Sequence, residues 1–466
     1  MQAAPVKTPL GSGAIVALVA TILGVVLIAA PPLWGAAPLL QRTAGTVVIA
    51  LALWATGAVP AYFGAIVFLF LAMALALAPA RVVFSGFHSS AVWLVFGGLI
   101  VGAAVQQSGL GARVVRAMLA HFPASYGGLI WAIALVGAGL AFFIPSAVGR
   151  VMLLMPIVFA LAERLGFGAR SNGRTGLILA AGFSTTIPPF AILPANVPNM
   201  GLIGAAESIY GVSLTYGTYL LLNFPIIGIF GVVALPLLIV RLFPDTPKPI
   251  SQESDHARWS AAERKLMLVV SVALALWITD FLHHIAPAWV ALGAAVLCMI
   301  PRLGVVPPTT MAKTVDYGPW FFVAGIIGLG AVVDQTGLGK AIARAFLDYV
   351  PFVHGAGFAN FAAMYAMGLV VGVMTTLPAS PGVMTPFAQS IADATGWPLL
   401  SVLMMQVPAW MLFPFAYQAP PIITTIVMGG IAAGAATRLL LAYTILGILI
   451  ALPLQYFWGK LLGFYL

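Results

Sequence analysis

The sequence predicts an all-α polytopic membrane protein built from two inverted repeats, each with a re-entrant hairpin and a broken helix. Three observations predict it. The 466-residue chain is 62% hydrophobic and only 7% charged, where soluble domains carry roughly 25% charged residues. Its apolar runs reach the roughly 20 residues that cross a bilayer. And a polar, breaker-rich interruption inside an apolar run, FFIPSAVGRVMLLMP (142–156), returns far downstream as MTTLPASPGVMTP (374–386).

PSAVG and PASPG share one plan: a proline, two small residues and a glycine. A proline and a glycine this close stop a helix. At membrane depth a stopped helix survives only where its freed backbone groups are buried in protein or line a wet cavity. One such break in each half is the best sequence pointer to the binding site of a secondary transporter.

The remaining composition narrows the class. Net charge is +9, but the basic residues fall at loop ends, which fits the positive-inside bias of membrane proteins rather than nucleic-acid binding. Cys298 is the sole cysteine, so an intrachain disulfide and cysteine-based metal clusters are excluded. It sits in an apolar run and reads as a buried, inert thiol.

The spans follow in order. Met1 to Trp34 carries a lysine and an apolar run, as a signal peptide does. The run from Gly13 to Leu33 is long enough to span, so it reads as a retained first helix at about 12–31. Two spans sit at about 43–58 and 61–79, and a long one at about 90–119. The interrupted region at about 125–165 reads as a re-entrant hairpin. A span at about 174–208 is broken by Pro188, Pro189, Pro194 and Pro198, and a clean helix follows at about 216–243. Residues 244–264 form the one long hydrophilic stretch, a solvated linker between halves. The second half repeats the order: about 265–285, 287–301, 318–347, an interrupted region at 355–393, a proline-broken span at 399–430 and a last helix at 437–463.

Duplication is visible by letter. QQSGLGARVVRAMLAHFP (106–123) aligns with DQTGLGKAIARAFLDYVP (334–351) at a constant offset of 228. Each repeat holds an odd number of crossings, so the second copy is expected upside down. With the N-terminus inside, 14 of the 20 basic residues fall on the inner side and five on the outer, with Arg150 in the hairpin as the remainder. That asymmetry predicts a cytoplasmic N-terminus, and it puts the repeat-matched Arg116 and Arg344 on opposite sides.

Helix order, Gly-Leu-Gly helix, hairpin tip and proline-broken helix, given twice over nearly the whole chain, resemble the divalent anion:sodium symporter family. These are dicarboxylate, citrate and sulfate carriers within the wider ion transporter superfamily. The resemblance implies a homodimer working by an elevator motion, with no enzymatic activity. It divides the chain into an N-terminal helix (1–42), a first repeat (43–243; scaffold helices 43–79, transport part 90–208), a cytoplasmic linker (244–264) and a second repeat (265–466; scaffold 265–301, transport part 318–430).

The family carries Ser-Asn-Thr at each tip and a Thr-Pro-Pro-Asn type break in each paired helix. Here the first tip is Ser146, Ala147 and Val148, and only the serine matches. The first break reads Asn196, Val197, Pro198, Asn199 and keeps the Pro-Asn end. The second tip is placed at Pro378, Ala379, Ser380, and the second break at Ala419, Pro420, Pro421, Ile422, which loses the asparagine. Both tip asparagines are alanine, so the usual substrate and the sodium coupling transfer less well than the fold.

An anion at midplane needs donors and positive potential. Helix N-termini supply both through free N–H groups and the dipole. Ser146, Ala147, Val148, Gly149, Arg150, Asn199, Pro378, Ala379, Ser380, Gly382, Pro420 and Pro421 are therefore the expected substrate-binding residues, with Gly149 and Gly382 allowing close backbone approach. Arg150 is the sharpest singleton, since a charge within a membrane segment is costly and faces the protein interior. It reads as an anion contact or a screen against substrate repulsion, or else reaches the rim or closes a structural salt bridge. Cation sites need carbonyl, hydroxyl and amide oxygens. Ser146, Ser184, Thr185, Thr186 and Asn196 offer them in the first half, and Thr375, Thr376 and Ala419 in the second, with Thr424 and Thr425 further along.

No P-loop and no HExxH, GxSxG or CxxC stands out, so neither ATP hydrolysis nor hydrolase chemistry is indicated. The expectation is a multi-pass transporter of the bacterial inner membrane. It would carry a small organic anion (a di- or tricarboxylate, or a related carboxylate or sulfonate), with sodium as coupling ion. Proton coupling, which would need Asp280, Asp316, Asp334, Glu207, His88, His283 or His284, and anion exchange are the alternatives within this fold. A channel-like anion pathway is the alternative of another class.

Overall fold

The structure, a computed structural model, describes residues 12–32, 37–119, 122, 125–142, 144, 146–248, 259–347 and 352–466. Lys7, Pro145 and the linker centre 249–258 lie outside the described residues, as do the side chains of Arg116 and Arg344. Among the described residues the fold is all-helical. Among the described residues five helices are long and apolar enough to cross a membrane: Pro38–Thr56, Ser90–Ser108, Tyr216–Leu242, Gly318–Gln335 and Ala433–Leu461.

The expected long spans at 90–119 and 318–347 are each two helices. Ser90–Ser108 ends at Gly109 with φ 80° and is followed by Leu110–Leu119; Gly318–Gln335 is followed, past Gly337 with φ 77°, by Leu338–Leu347. A glycine adopts that left-handed conformation without steric cost and ends a helix. The Gly-Leu-Gly signature is therefore a chain corner, used twice. Both second pieces are amphipathic.

The hairpins and breaks fall where proline and glycine put them. The first hairpin is Tyr126–Gly139, then Ala147–Arg164; its second counterpart is Phe358–Met374, then the short helix Ser380–Met384 and Ala388–Thr395. The first broken span is Asn172–Ser184, two 3-10 turns at Pro188–Ala191 and Leu193–Ala195, and Val197–Tyr210. The second is Leu399–Met404, Val407–Met411, a 3-10 turn at Ala416–Gln418, and Pro420–Gly429. Pro198, Pro420 and Pro421 stand in the first turns of their helices, where a missing N–H costs nothing.

Packing is crosswise between halves. Scaffold helix Pro287–Met299 of the second half lies on Ser90–Ser108 of the first, and Ala61–Ala74 of the first lies on Gly318–Gln335 of the second. Glycine permits both approaches. A Cβ on Gly97 would sit 2.6 Å from the Ala291 carbonyl carbon, and one on Gly325 would sit 2.5 Å from Ala65 Cβ. Small residues at helix contacts let backbones close together, the usual device where lipid supplies no hydrophobic drive. The hairpins do the same. Ala147–Arg164 packs on the second broken helix Pro420–Gly429, and Ser380–Met384 packs on the first broken helix Val197–Tyr210.

Two of the carboxylates suggested as proton carriers, the buried Asp280 and the half-buried Glu207, do structural work. Asp280 Oδ2 accepts from Tyr216 N (2.6 Å), a first-turn amide of helix Tyr216–Asn223, whose N-cap is Thr215. Glu207 Oε2 accepts from Ser90 N (2.9 Å) and the Ser89 and Ser90 hydroxyls at the start of Ser90–Ser108.

Candidate functional site

The first tip begins as a helix cap. Ser146 is the N-cap of Ala147–Arg164, and its hydroxyl accepts from Gly149 N at 3.1 Å. One turn on, Arg150 is fully buried, at 0% exposure. The neighbouring break supplies its partners. Helix Asn172–Ser184 stops before Ile187-Pro188, leaving the Thr185 carbonyl without a helical donor.

Arg150 fills that need. Its Nε donates to Thr185 O (3.0 Å), and one terminal nitrogen donates to Thr185 O (2.7 Å) and Asn196 Oδ1 (3.3 Å). The other donates to Ala195 O (3.1 Å) and Ile144 O. A guanidinium has five N–H donors, and all five are spent inside the protein. Among the described residues no carboxylate lies within 4 Å of it. The charge is thus held by carbonyl dipoles, one at the negative end of helix Asn172–Ser184, where a cation is favoured. Arg150 neither reaches a rim nor closes a salt bridge. In this conformation it offers a substrate potential but no free hydrogen.

The oxygens expected to hold a first cation are the same ones. Thr185 O and Asn196 Oδ1 face the guanidinium. The Thr185 hydroxyl donates to Ala181 O and Gly182 O, the Thr186 hydroxyl donates to Gly182 O, and Asn196 Nδ2 donates to Thr186 O. Ser184 Oγ is buried without a hydrogen-bond partner among the described residues. Asn199 spends Nδ2 on Phe190 O (3.1 Å) and Ile192 O (2.9 Å), closing its own break, and its Oδ1 is buried and free.

The second tip is built differently. Helix starts at Ala147 and Ser380 fix the register between halves, so Ser146 pairs with Ala379 rather than Pro378, and Arg150 pairs with Val383. No cation sits there. Thr376 O accepts from Ala379 N, Ser380 N and the Ser380 hydroxyl, and the Thr375 hydroxyl donates to Val371 O. Ala419 O accepts from Ile422 N. The Thr424 and Thr425 hydroxyls bond back to Pro420 O and Pro421 O. The tip meets the break through Leu377 N, which donates to Gln418 O at 2.9 Å.

The structure brings each tip against the opposite half's broken helix. A Cβ on Gly201 would lie 3.4 Å from Pro381, and helix Ala147–Arg164 packs on Pro420–Gly429; the two broken spans also meet each other, a Cβ on Gly182 overlapping Thr425. Phe190 and Phe413, one in each break, are edge to face at 6.4 Å. Ser146, Val148, Gly149 and Val197 are partly exposed, while Ser380 is buried. Gln418 is the functional candidate that sequence reasoning misses. Its signal is faint: one amide inside an apolar, proline-broken span.

A helical membrane fold with proline-broken, cross-packed halves is shared by several carrier families, so sequence kinship decides among them. The family model described as "Citrate transporter" matches residues 49–413. The chain belongs to that citrate transporter family. It is therefore a member of the ion transporter superfamily and of a family of transporters, not enzymes. It is 26% identical to a protein of Cupriavidus necator named only "Membrane protein", over 63% of each chain. It is 23% identical to "Inner membrane protein YbhI" of Escherichia coli K12, over 68% of this chain and 69% of that one. It is 27% identical to the "L-tartrate/succinate antiporter" of Escherichia coli UTI89, over 58% of each. The chain thus spans 63% of the length of the first of these relatives. Among solved structures it resembles the YdaH transporter of Alcanivorax borkumensis at TM-score 0.46 and 12% identity, over 82% of this chain and 87% of that one. That likeness is too slight to carry an argument.

Proposed function

We propose that this protein exchanges small di- or tricarboxylate anions across the bacterial inner membrane by alternating access. The observation that carries the reading is Arg150. A coupling ion serves to bring positive charge and to complete a cage of oxygens around the substrate site. Here a permanent guanidinium already stands among Ile144 O, Thr185 O, Ala195 O and Asn196 Oδ1. A fixed cation needs no gradient to load, and it leaves the site unfavourable to crossing empty. Both properties favour exchange of one anion for another. A relative of similar sequence named an L-tartrate/succinate antiporter supports the same direction.

The sequence duplication and charge asymmetry support inverted repeats with a cytoplasmic N-terminus. An elevator motion of parts 90–208 and 318–430 against the scaffold, in a homodimer, follows from the family likeness. A second reading keeps sodium. The second half has Val383 in place of Arg150, so Thr375, Thr376 and Ala419 could still hold one cation.

Thermal denaturation of purified protein with succinate, tartrate, citrate, sulfate and sulfonates, in sodium and in choline, tests both. Ligand stabilises in proportion to the logarithm of its concentration over Kd. Exchange predicts a carboxylate shift equal in both salts. A shift that needs sodium selects the second reading, and no shift with any anion overturns the substrate class.

A further inference from the structure

The two tip–break joints differ in one respect. In the first half, Arg150 bridges Ile144 O and Ala195 O. Counted from the helix starts, the matching pair in the second half is Leu377 and Gln418, joined by a direct backbone hydrogen bond. Gln418 is fully buried, and its Oε1 accepts from Phe415 N at 3.0 Å, which fixes the orientation of the amide. The other end, Nε2, then has two hydrogens and no acceptor among the described residues. Leaving a buried donor unmet is costly, and native structures do so rarely.

The residue beside this nitrogen carries no side chain. Gly372 packs beside this nitrogen: a Cβ there would lie 3.0 Å from Nε2 and 3.8 Å from Ser380 Oγ. Just above, Phe415 and Tyr417 stack at 6.0 Å, both about 40% exposed, and the Tyr417 hydroxyl ties them to Val373 O. The buried amide is therefore one residue along the chain from an exposed aromatic pair, at the second break.

We infer that Gln418 Nε2 donates to a carboxylate oxygen of the carried anion and is a specificity-determining residue. The inference rests on the carboxylate-carrier reading above. Arg150 gives the anion long-range attraction without a hydrogen, and Gln418 gives the hydrogen without charge.

Gln418→Glu separates this from a structural role. Glutamate keeps an oxygen for Phe415 N and replaces the free donor with a like charge. Lowering the pH protonates a buried carboxyl, whose pKa is raised by desolvation, and returns a donor. Succinate and citrate affinities would be measured by thermal shift on the full-length protein at pH 7.5 and at about 5.5. At pH 7.5 the variant should bind at least about tenfold more weakly than wild type, the loss of one hydrogen bond to a charged group. At the lower pH it should recover, with no such gain in wild type. Equal affinity at both pH values, or an equal loss at both, would overturn the assignment. Absence of carboxylate binding in the wild-type control would instead overturn the carrier reading together with it. If Q418E does not fold, Gly372→Ala reads the same contact by crowding Nε2. Weaker binding then supports the assignment and unchanged affinity overturns it.

Discussion

Replacing Arg150 with methionine removes five donors and one buried charge while keeping much of the apolar volume. Three backbone carbonyls, Ile144, Thr185 and Ala195, lose the partner seen in the structure. An orphaned buried acceptor costs about 1–3 kcal/mol. Several kcal/mol spent on desolvating the guanidinium are recovered in exchange. The net loss is on the order of 3 kcal/mol. For a chain of this length it should lower the melting temperature by roughly 3–6 °C. Arg150→Lys keeps the charge but has three donors in place of five, so its loss should be smaller. Arg150→Ser adds a sharper test because it vacates the oxygens without filling them. Sodium should then stabilise the variant by about 1.4 kcal/mol at 100 mM for a Kd on the order of 10 mM, and leave wild type unchanged. Differential scanning fluorimetry in sodium and choline reads all three. An R150M protein that melts with wild type, or an R150S protein blind to sodium, would refute the view of Arg150 as a resident cation.

Glu263 opens the helix Ala261–Ile278 ahead of its apolar stretch, in a capping box with Ser260. The Arg113 guanidinium at 2.8 Å, and then the Ser260 amide, hold its carboxyl down at about 2. A depressed carboxyl stabilises the fold above its ordinary value of 4.5, and that contribution is lost as pH falls from there toward 2. Melting temperature against pH should therefore fall more steeply in wild type than in Glu263→Gln across that window; parallel curves would contradict the pairing. Gly97→Leu should cost about 1–3 kcal/mol, because the backbone of Ala291 cannot yield to a side chain that begins 2.6 Å away. An unchanged melting temperature would show that the two halves do not meet at this crossing.

Much of the architecture was legible because breakers act locally. Clusters of proline with glycine or small residues interrupt the helices around 142–146, 188–196, 375–379 and 412–419, while the isolated Pro156 is carried inside helix Ala147–Arg164. In the sequence Gly109 and Gly337 are visible as part of a repeated motif but not as corners, since an apolar pattern runs on through both and only the left-handed φ reveals the turn. The site was less legible. Arg150 stands out in the sequence as a charge inside an apolar segment, but three of its partners are backbone oxygens 6, 35 and 45 residues away, which no side-chain pattern encodes. Gln418 is not legible in the sequence because an unmet donor is a property of a folded neighbourhood. The two tips also differ in how they are tied, through a cation in one and a backbone bond in the other, although their letters look alike.

Counterflow in proteoliposomes tests the central claim most directly. Vesicles loaded with unlabelled succinate or kept empty are exposed to labelled succinate, with sodium outside or with choline in its place. The account predicts rapid accumulation in loaded vesicles alone, at equal rates in both salts. Uptake into empty vesicles driven by an inward sodium gradient would contradict it.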